Sequence, residues 1–254
     1  MVGRVVTYLA LAFVSLPLLA AILLSLTRSW FFPTILGPWT SQHYTDLWSG
    51  SGLVSSMLLS LGIASLISVT STLIGGLISV ALHYGKSSTS RLLALGYFPY
   101  AIAPVVLGSM LQYYFLRIGL FGSMGGVLLA QSFITIPFAV LIFSSFWSDH
   151  TTRLSAQART LGASKKAILY GVIIPSARQW IILCSVQCFL ISWLEFGLTR
   201  VIGAGEVRTL TVSIMALASQ ASIYEAAVAC CLMLVPPVLL FLAQHKWIST
   251  PAHP

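Results

Sequence analysis

Six long apolar stretches, separated by short polar or turn-rich connections, organise this chain. They fall at about 5–27, 53–83, 92–116, 124–147, 179–199 and 224–247. A helix needs about 20 apolar residues to cross a hydrocarbon core of roughly 30 Å, so each stretch predicts one transmembrane helix. The fold class that follows is an all-α membrane protein with a single transmembrane domain over residues 1–254. The first stretch starts just after Arg4. Its apolar run is longer than the 7–15 residues of a signal-peptide core and lacks a convincing small-residue cleavage site, so it reads as a retained helix. Prolines interrupt several stretches: Pro99 and Pro104 in the third, Pro137 in the fourth, Pro236 and Pro237 in the last. They predict kinks, which membrane helices tolerate where neighbours or water satisfy the freed carbonyls.

Composition strengthens the membrane reading. The chain is 57% hydrophobic and only 7% charged, whereas a soluble domain carries charge on about a quarter of its residues. Thirteen Lys and Arg against five Asp and Glu would suggest nucleic acid in a soluble protein. In a membrane protein the same surplus marks cytoplasmic loops, and nucleic-acid binding is not expected. With the N-terminus inside, nine cations (Arg4, Lys86, Arg91, Arg153, Arg159, Lys165, Lys166, Arg178 and Lys246) fall on the inner side, and Arg28, Arg117, Arg200 and Arg208 on the outer. Both termini are therefore expected in the cytoplasm. The cysteine pairs Cys184/Cys188 and Cys230/Cys231 lie inside apolar runs without nearby His and read as small buried hydrophobes.

The longest polar connection, residues 148–178, is predicted to be cytoplasmic and structured. Arg153 to Leu161 favours helix, Gly162 supplies a helix end, and Ser164 suits the cap of a second helix, which runs toward Pro175. About 30 residues exceed what a simple connection between antiparallel spans requires. A docking surface for a cytoplasmic partner accounts for the length better than a solvated amphipathic connector resting on lipid.

Here the sequence resembles a family, the permease subunits of binding-protein-dependent ABC importers of the type I fold. Their cytoplasmic loop carries Glu-Ala-Ala, a Gly four residues after the second Ala, and a Pro about a dozen residues later. Ala158, Arg159, Thr160, Leu161, Gly162, Ala163 and Ser164 read as the core of that motif, and Pro175 falls at the family proline. At its start this chain has Ala156 and Gln157, giving Ala-Gln-Ala without the acid. The stretch YFPYAIAPVVLG resembles the family's third span. SQHYTDL and RTLTVSI resemble outer-face segments of the polyamine, ferric-iron, thiamine and phosphonate branch.

The resemblance implies a type I importer permease with six spans and a helix-turn-helix coupling loop between the fourth and fifth. It implies an assembly with a second permease, two separate cytoplasmic ATP-binding subunits and an external solute-binding protein in a bacterial inner membrane. The missing acid favours a heterodimer with a more orthodox permease, and a homodimer stays open. By carry-over, ATPase coupling is assigned to Arg153, Ala156, Gln157, Ala158, Arg159, Leu161, Gly162, Ala163 and Ser164. No cofactor is expected in this chain, because ATP and Mg would be bound by the ATPase partners. Gly85, Lys86 and Ser87 spell the end of a phosphate-binding loop, but Val80 stands at its first glycine and the tripeptide follows a membrane helix instead of a strand. No catalytic or metal-binding constellation appears, and the chain does not read as an enzyme.

An ionisable side chain within a span faces the bundle interior or water by default. Glu195, toward the outer end of the fifth stretch, is the acid placed there, with Trp193, Gln187, Gln131 and Gln112 as further candidates for the translocation path. A salt bridge to Arg200 or a headgroup contact is the other reading of Glu195, and packing or interhelical bonding that of the rest. The solute expected is small and polar or charged, of the polyamine, ferric-iron, thiamine or phosphonate type. An ion-driven carrier or channel is the alternative; such proteins place more ionisable and broken-helix features at the midplane. An intramembrane enzyme or scaffold comes third, since His43, His83, His150, His245 and His253 all lie at span ends or in loops.

Overall fold

Apolar runs in a bilayer satisfy their backbone groups internally only as helices or closed barrels, and here they are helices. A computed structural model describes residues 2–28, 37–46, 52–85, 96–147 and 149–248. The KSSTSR connection, residues 92–95 of the third predicted span and parts of the Arg28–Gly52 segment lie outside the described residues. The helices are α1 (Val2–Ser25), α2 (Gln42–Asp46), α3 (Leu53–Tyr84), α4 (Pro104–Arg117), α5 (Met124–Phe146), α6 (Asp149–Thr160), α7 (Lys165–Ile168), α8 (Ile174–Trp193), α9 (Gly197–Ile202), α10 (Leu210–Ser219) and α11 (Ile223–Ile248). Among the described residues four helices are long and apolar enough to cross a membrane: α3, α5, Lys166–Trp193 and Ile223–Ala243.

Two predicted spans differ from what forms. The third, expected over 92–116, is divided by its prolines into a 3₁₀ turn at Phe98–Ala101 and the 14-residue α4. Ile102 and Ala103 are extended between them, since the residue before proline is pushed out of the helical region. At 1.5 Å per residue α4 is about 21 Å long, short of a full crossing. The fifth, expected over 179–199, begins about one helical length earlier and stops at Trp193. α7 continues into α8 through a π turn at Leu169–Ile173, where the Ile174 N–H donates to the Leu169 carbonyl. Proline's ring crowds the carbonyl four residues back, so a widened turn just before Pro175 accommodates it. Residues 194–196 then break the helix before α9.

The helices divide into two compact units. The first comprises Met1–Ser60 and Arg208–Lys246. In it the chain after α1 pairs back, Thr40 N–H donating to the Leu26 carbonyl (2.8 Å) and Arg28 N–H to that of Pro38 (3.0 Å). Ser25 Oγ meets the Tyr44 hydroxyl at 2.9 Å, and His43 stacks on Tyr224 with centroids 5.5 Å apart. Burial raises the Tyr44 phenol above its ordinary pKa.

The second unit comprises Leu61–Val207, with Trp247–Pro254. Helices in lipid gain little from apolar burial and associate through close packing and polar bonds, and α3, α5 and α8 show both. A Cβ on Gly75 of α3 would lie 2.4 Å from the Ala139 Cβ of α5, so the two backbones approach as only glycine allows. Ser71 meets Thr135 at 2.7 Å, and Ser68 Oγ donates to the Ser185 carbonyl at 2.6 Å. Cys184 and Cys188 are fully buried beside Ala139 and Phe143.

Candidate functional site

The nine predicted coupling residues all fall on one element, α6 with the turn that follows it. The turn is a Schellman motif. Gly162 has φ +83°, its N–H donates to the Arg159 carbonyl (3.0 Å), and the Ala163 N–H donates to the Ala158 carbonyl (3.0 Å). These bonds satisfy carbonyls that a helix end leaves open, and the left-handed backbone they need is strained for any residue with a Cβ. Ser164 then caps α7, its Oγ accepting from the Ala167 N–H at 3.2 Å. The capping reading of the sequence is realised in detail.

One side of α6 is fastened to the unit. Thr151 and Ser155 are buried, Thr151 Oγ1 donating to the Phe146 carbonyl (3.2 Å) and Ser155 Oγ to that of Thr151 (2.9 Å). Ala158 and Ala163, the two residues joined across the turn, both pack on a cluster of Phe146, Ile168, Ile173 and Ala177. Trp147 extends this base. Its indole N–H donates to Ser79 Oγ (2.8 Å), and its ring stacks on His83 with centroids 4.2 Å apart. The opposite side is exposed: Arg153, Ala156, Gln157, Arg159, Thr160, Leu161, Gly162 and Ser164. Leu161, at the tip, is 87% exposed. A large aliphatic side chain so placed, on a turn fixed by two backbone bonds, is a rigid apolar knob.

The path candidates separate. Glu195 sits in the break between α8 and α9, almost buried. Its Oε1 accepts from the Leu198 N–H (2.6 Å), and its Oε2 from the Thr199 N–H (2.9 Å) and hydroxyl (2.7 Å). The carboxylate thus caps α9, where free N–H groups and the helix dipole favour negative charge. Thr199 Oγ1 in turn accepts from Gln131 Nε2 (3.0 Å), and Gln131 Oε1 accepts from the Ser192 hydroxyl. A directed chain of bonds therefore runs Ser192, Gln131, Thr199, Glu195 and joins α5, α8 and α9. Trp193 is buried and stacks on Phe189 at 6.0 Å. Gln187 and Gln112 are half-buried on α8 and α4 and do not join the chain. Sequence reasoning missed Thr199 and Ser192. The available signal was Glu195 followed three and four positions later by the first turn of a helix. Among the described residues no cluster of three or more His, Cys, Asp or Glu could hold a metal.

With this geometry in place, comparison with known proteins is specific. Residues 71–250, more than half of the chain, match the family described as binding-protein-dependent transport system inner membrane component. The molybdenum transport system permease protein ModB of Mycobacterium bovis is 29% identical over 197 residues, 71% of this chain and 74% of that protein. The chloroplastic sulfate permease 2 of Chlamydomonas reinhardtii is 30% identical over 129 residues, 45% of this chain and 35% of that longer protein. The spermidine/putrescine permease protein PotC of Haemophilus influenzae is 27% identical over 154 residues, 59% of this chain and 58% of that protein. In fold, the chain resembles the crystal structure of a bacterial ABC transporter involved in import of the acidic polysaccharide alginate, with a TM-score of 0.71, 14% identity and coverage of 98% of this chain and 95% of that one. An all-helical chain with several apolar spans, carrying the loop motif on a fixed helix-turn-helix and matched by this family over most of its length, belongs to the permeases of binding-protein-dependent type I ABC importers: it is a multi-pass membrane protein, not an enzyme.

Proposed function

We propose that this permease pairs with a second permease subunit and receives its driving force from separate ATP-binding subunits through α6 and the Gly162 turn. The observation that carries the reading is the 87% exposure of Leu161 on a turn whose other side is packed on Phe146, Ile168 and Ile173. Motion applied to such a knob moves the base beneath it, because the turn has little freedom to absorb it. An energy input acts on a two-state transporter only if it interacts differently with the two states, and a stiff lever is what delivers that difference. In this assembly ATP and Mg belong to the partner subunits, an external binding protein delivers the solute, α6 faces the cytoplasm with both termini, and a heterodimer is favoured.

The solute we propose is a small oxyanion. An acid in the path would suit a cationic solute, but both oxygens of Glu195 are engaged at the start of α9, so its charge already serves the fold. Relatives named for sulfate and molybdenum support an anion, and the polyamine relative supports the other sign. Reconstitution with the binding protein and ATPase of the native complex tests both parts. Sulfate or molybdate is expected to stimulate ATP hydrolysis and spermidine is not. Stimulation by spermidine alone overturns the solute, and hydrolysis indifferent to the Gly162 turn overturns the coupling role.

A further inference from the structure

The fifth span runs over Lys166–Trp193 instead of 179–199, and the shift moves Arg178 from the connecting loop into a membrane helix. Arg178 is the one charged residue of α8. At 1.5 Å per residue it lies about 22 Å along the axis from Trp193, within a core of roughly 30 Å and toward its α6 end. Two sides of α8 differ. Ala177, Cys184 and Cys188 are buried in the clusters formed with Ala139, Phe143 and Phe146. Ile174, Pro175, Arg178 and Ile181 are exposed, and with Ile182 they line a groove of about 310 Å³ whose walls are almost wholly apolar. A guanidinium inside a span is costly in lipid, and by default it faces a bundle interior or a water-filled cavity.

Resting on the oxyanion reading above, we propose that Arg178 is a specificity-determining residue of the translocation path, where it holds a tetrahedral oxyanion of the sulfate or molybdate class in this groove. The planar guanidinium offers parallel N–H donors to two oxygens of such an anion. The isoleucine walls lower the local dielectric and strengthen that attraction, while a single cation keeps the contact weak enough for release, as passage requires. The same charge repels a polyamine. A lipid phosphate shares the chemistry of the anion but lies at the headgroup level, whereas Arg178 is within the span.

The test uses the whole complex, with its ATPase and binding protein, in proteoliposomes, and follows uptake of radiolabelled sulfate and of molybdate. Arg178→Gln is expected to lower uptake about tenfold through the lost charged hydrogen bonds, and Arg178→Lys, which keeps the charge without the fork, to retain about a third of it. Arg178→Cys is made in a chain whose Cys230 and Cys231 are replaced by Ala; Cys184 and Cys188 are fully buried, and the same background with Arg178 intact is the control. A methanethiosulfonate reagent added on the α6 side is expected to label the introduced thiol, and sulfate to slow that labelling. The cationic aminoethyl reagent should restore uptake and the neutral methyl reagent should not, a difference that a merely structural side chain would not produce. Wild-type uptake by Arg178→Gln, labelling indifferent to sulfate, or equal rescue by the neutral reagent overturns the proposal. Labelling of the dissociated chain but not of the assembled complex places Arg178 in a subunit contact and overturns it too. A defect present in phosphatidylglycerol vesicles and absent in phosphatidylcholine vesicles assigns the arginine to lipid phosphate, with the same consequence. The oxyanion reading fails separately, if the wild-type complex takes up neither sulfate nor molybdate.

Discussion

Replacing Glu195 with Ala removes three acceptor contacts at the start of α9 and leaves the Leu198 and Thr199 N–H groups without the carboxylate that caps them. A lost helix cap alone costs about 1 kcal/mol. Buried hydrogen bonds to a charged group are worth about 1.5–3 kcal/mol each, offset by the desolvation that Glu195 no longer suffers. The net expectation is about 3 kcal/mol. Glu195→Gln keeps one acceptor for Leu198 and turns an amide N–H₂ toward the Thr199 N–H, for about 1–2 kcal/mol. Thr199→Val keeps the shape but strands Gln131 Nε2, at a similar cost. Because Thr199 bridges Glu195 and Gln131, the double variant is expected to cost less than the sum of the two by about 1 kcal/mol. Thermal unfolding in mild detergent measures this through a thiol-reactive fluorophore, since Cys184 and Cys188 are fully buried; Cys230 and Cys231 are first replaced by Ala. At about 2–4 °C per kcal/mol, Glu195→Ala should lower the midpoint by about 6–12 °C. A midpoint within about 2 °C of wild type, or strictly additive single variants, refutes the capping chain.

Three further outcomes follow from the geometry. Gly162→Val places a β-branched residue at φ +83° and is expected to cost about 1–3 kcal/mol locally, abolishing solute-stimulated ATP hydrolysis while membrane insertion, read by expression and elution profile, is unchanged. Gly75→Val forces a side chain into Ala139, whose Cβ would lie 2.4 Å from the new one, and is expected to abolish the monodisperse protein altogether. Pro175→Ala removes the ring that the Leu169–Ile173 π turn accommodates; spin labels at Lys166 and Ile181 should report a changed distance as the turn tightens toward α-helix, and an unchanged distance would give the widened turn another cause.

The elements legible in the sequence were those whose signal is local. Apolar length located α3, α5 and α11 to within a residue or two, because in lipid the hydrocarbon thickness fixes where such helices must run. Gly162 and Ser164 announced the turn after α6 because each has a conformational or capping property that no neighbour supplies. The third and fifth spans were misjudged where two local rules compete. Pro99 and Pro104 stop a helix that apolarity alone would continue, and the apolar Ile168–Ile174 stretch continues a helix that Pro175 seemed to end. Glu195 was found as an isolated acid, but its use was not readable. Its partners Thr199, Gln131 and Ser192 come from three helices whose packing no spacing rule encodes.

The most direct test of the account is photo-crosslinking from position 161 in native membranes, with a benzophenone amino acid in place of Leu161. A docked α6 predicts one dominant adduct with an ATP-binding subunit, lost when Gly162→Val is added and changed in yield when ATP and vanadate are supplied. Adducts with lipid alone, reproduced while an ATPase subunit remains bound to the complex elsewhere, would contradict the claim that the Gly162 turn is where ATP-driven motion enters this protein.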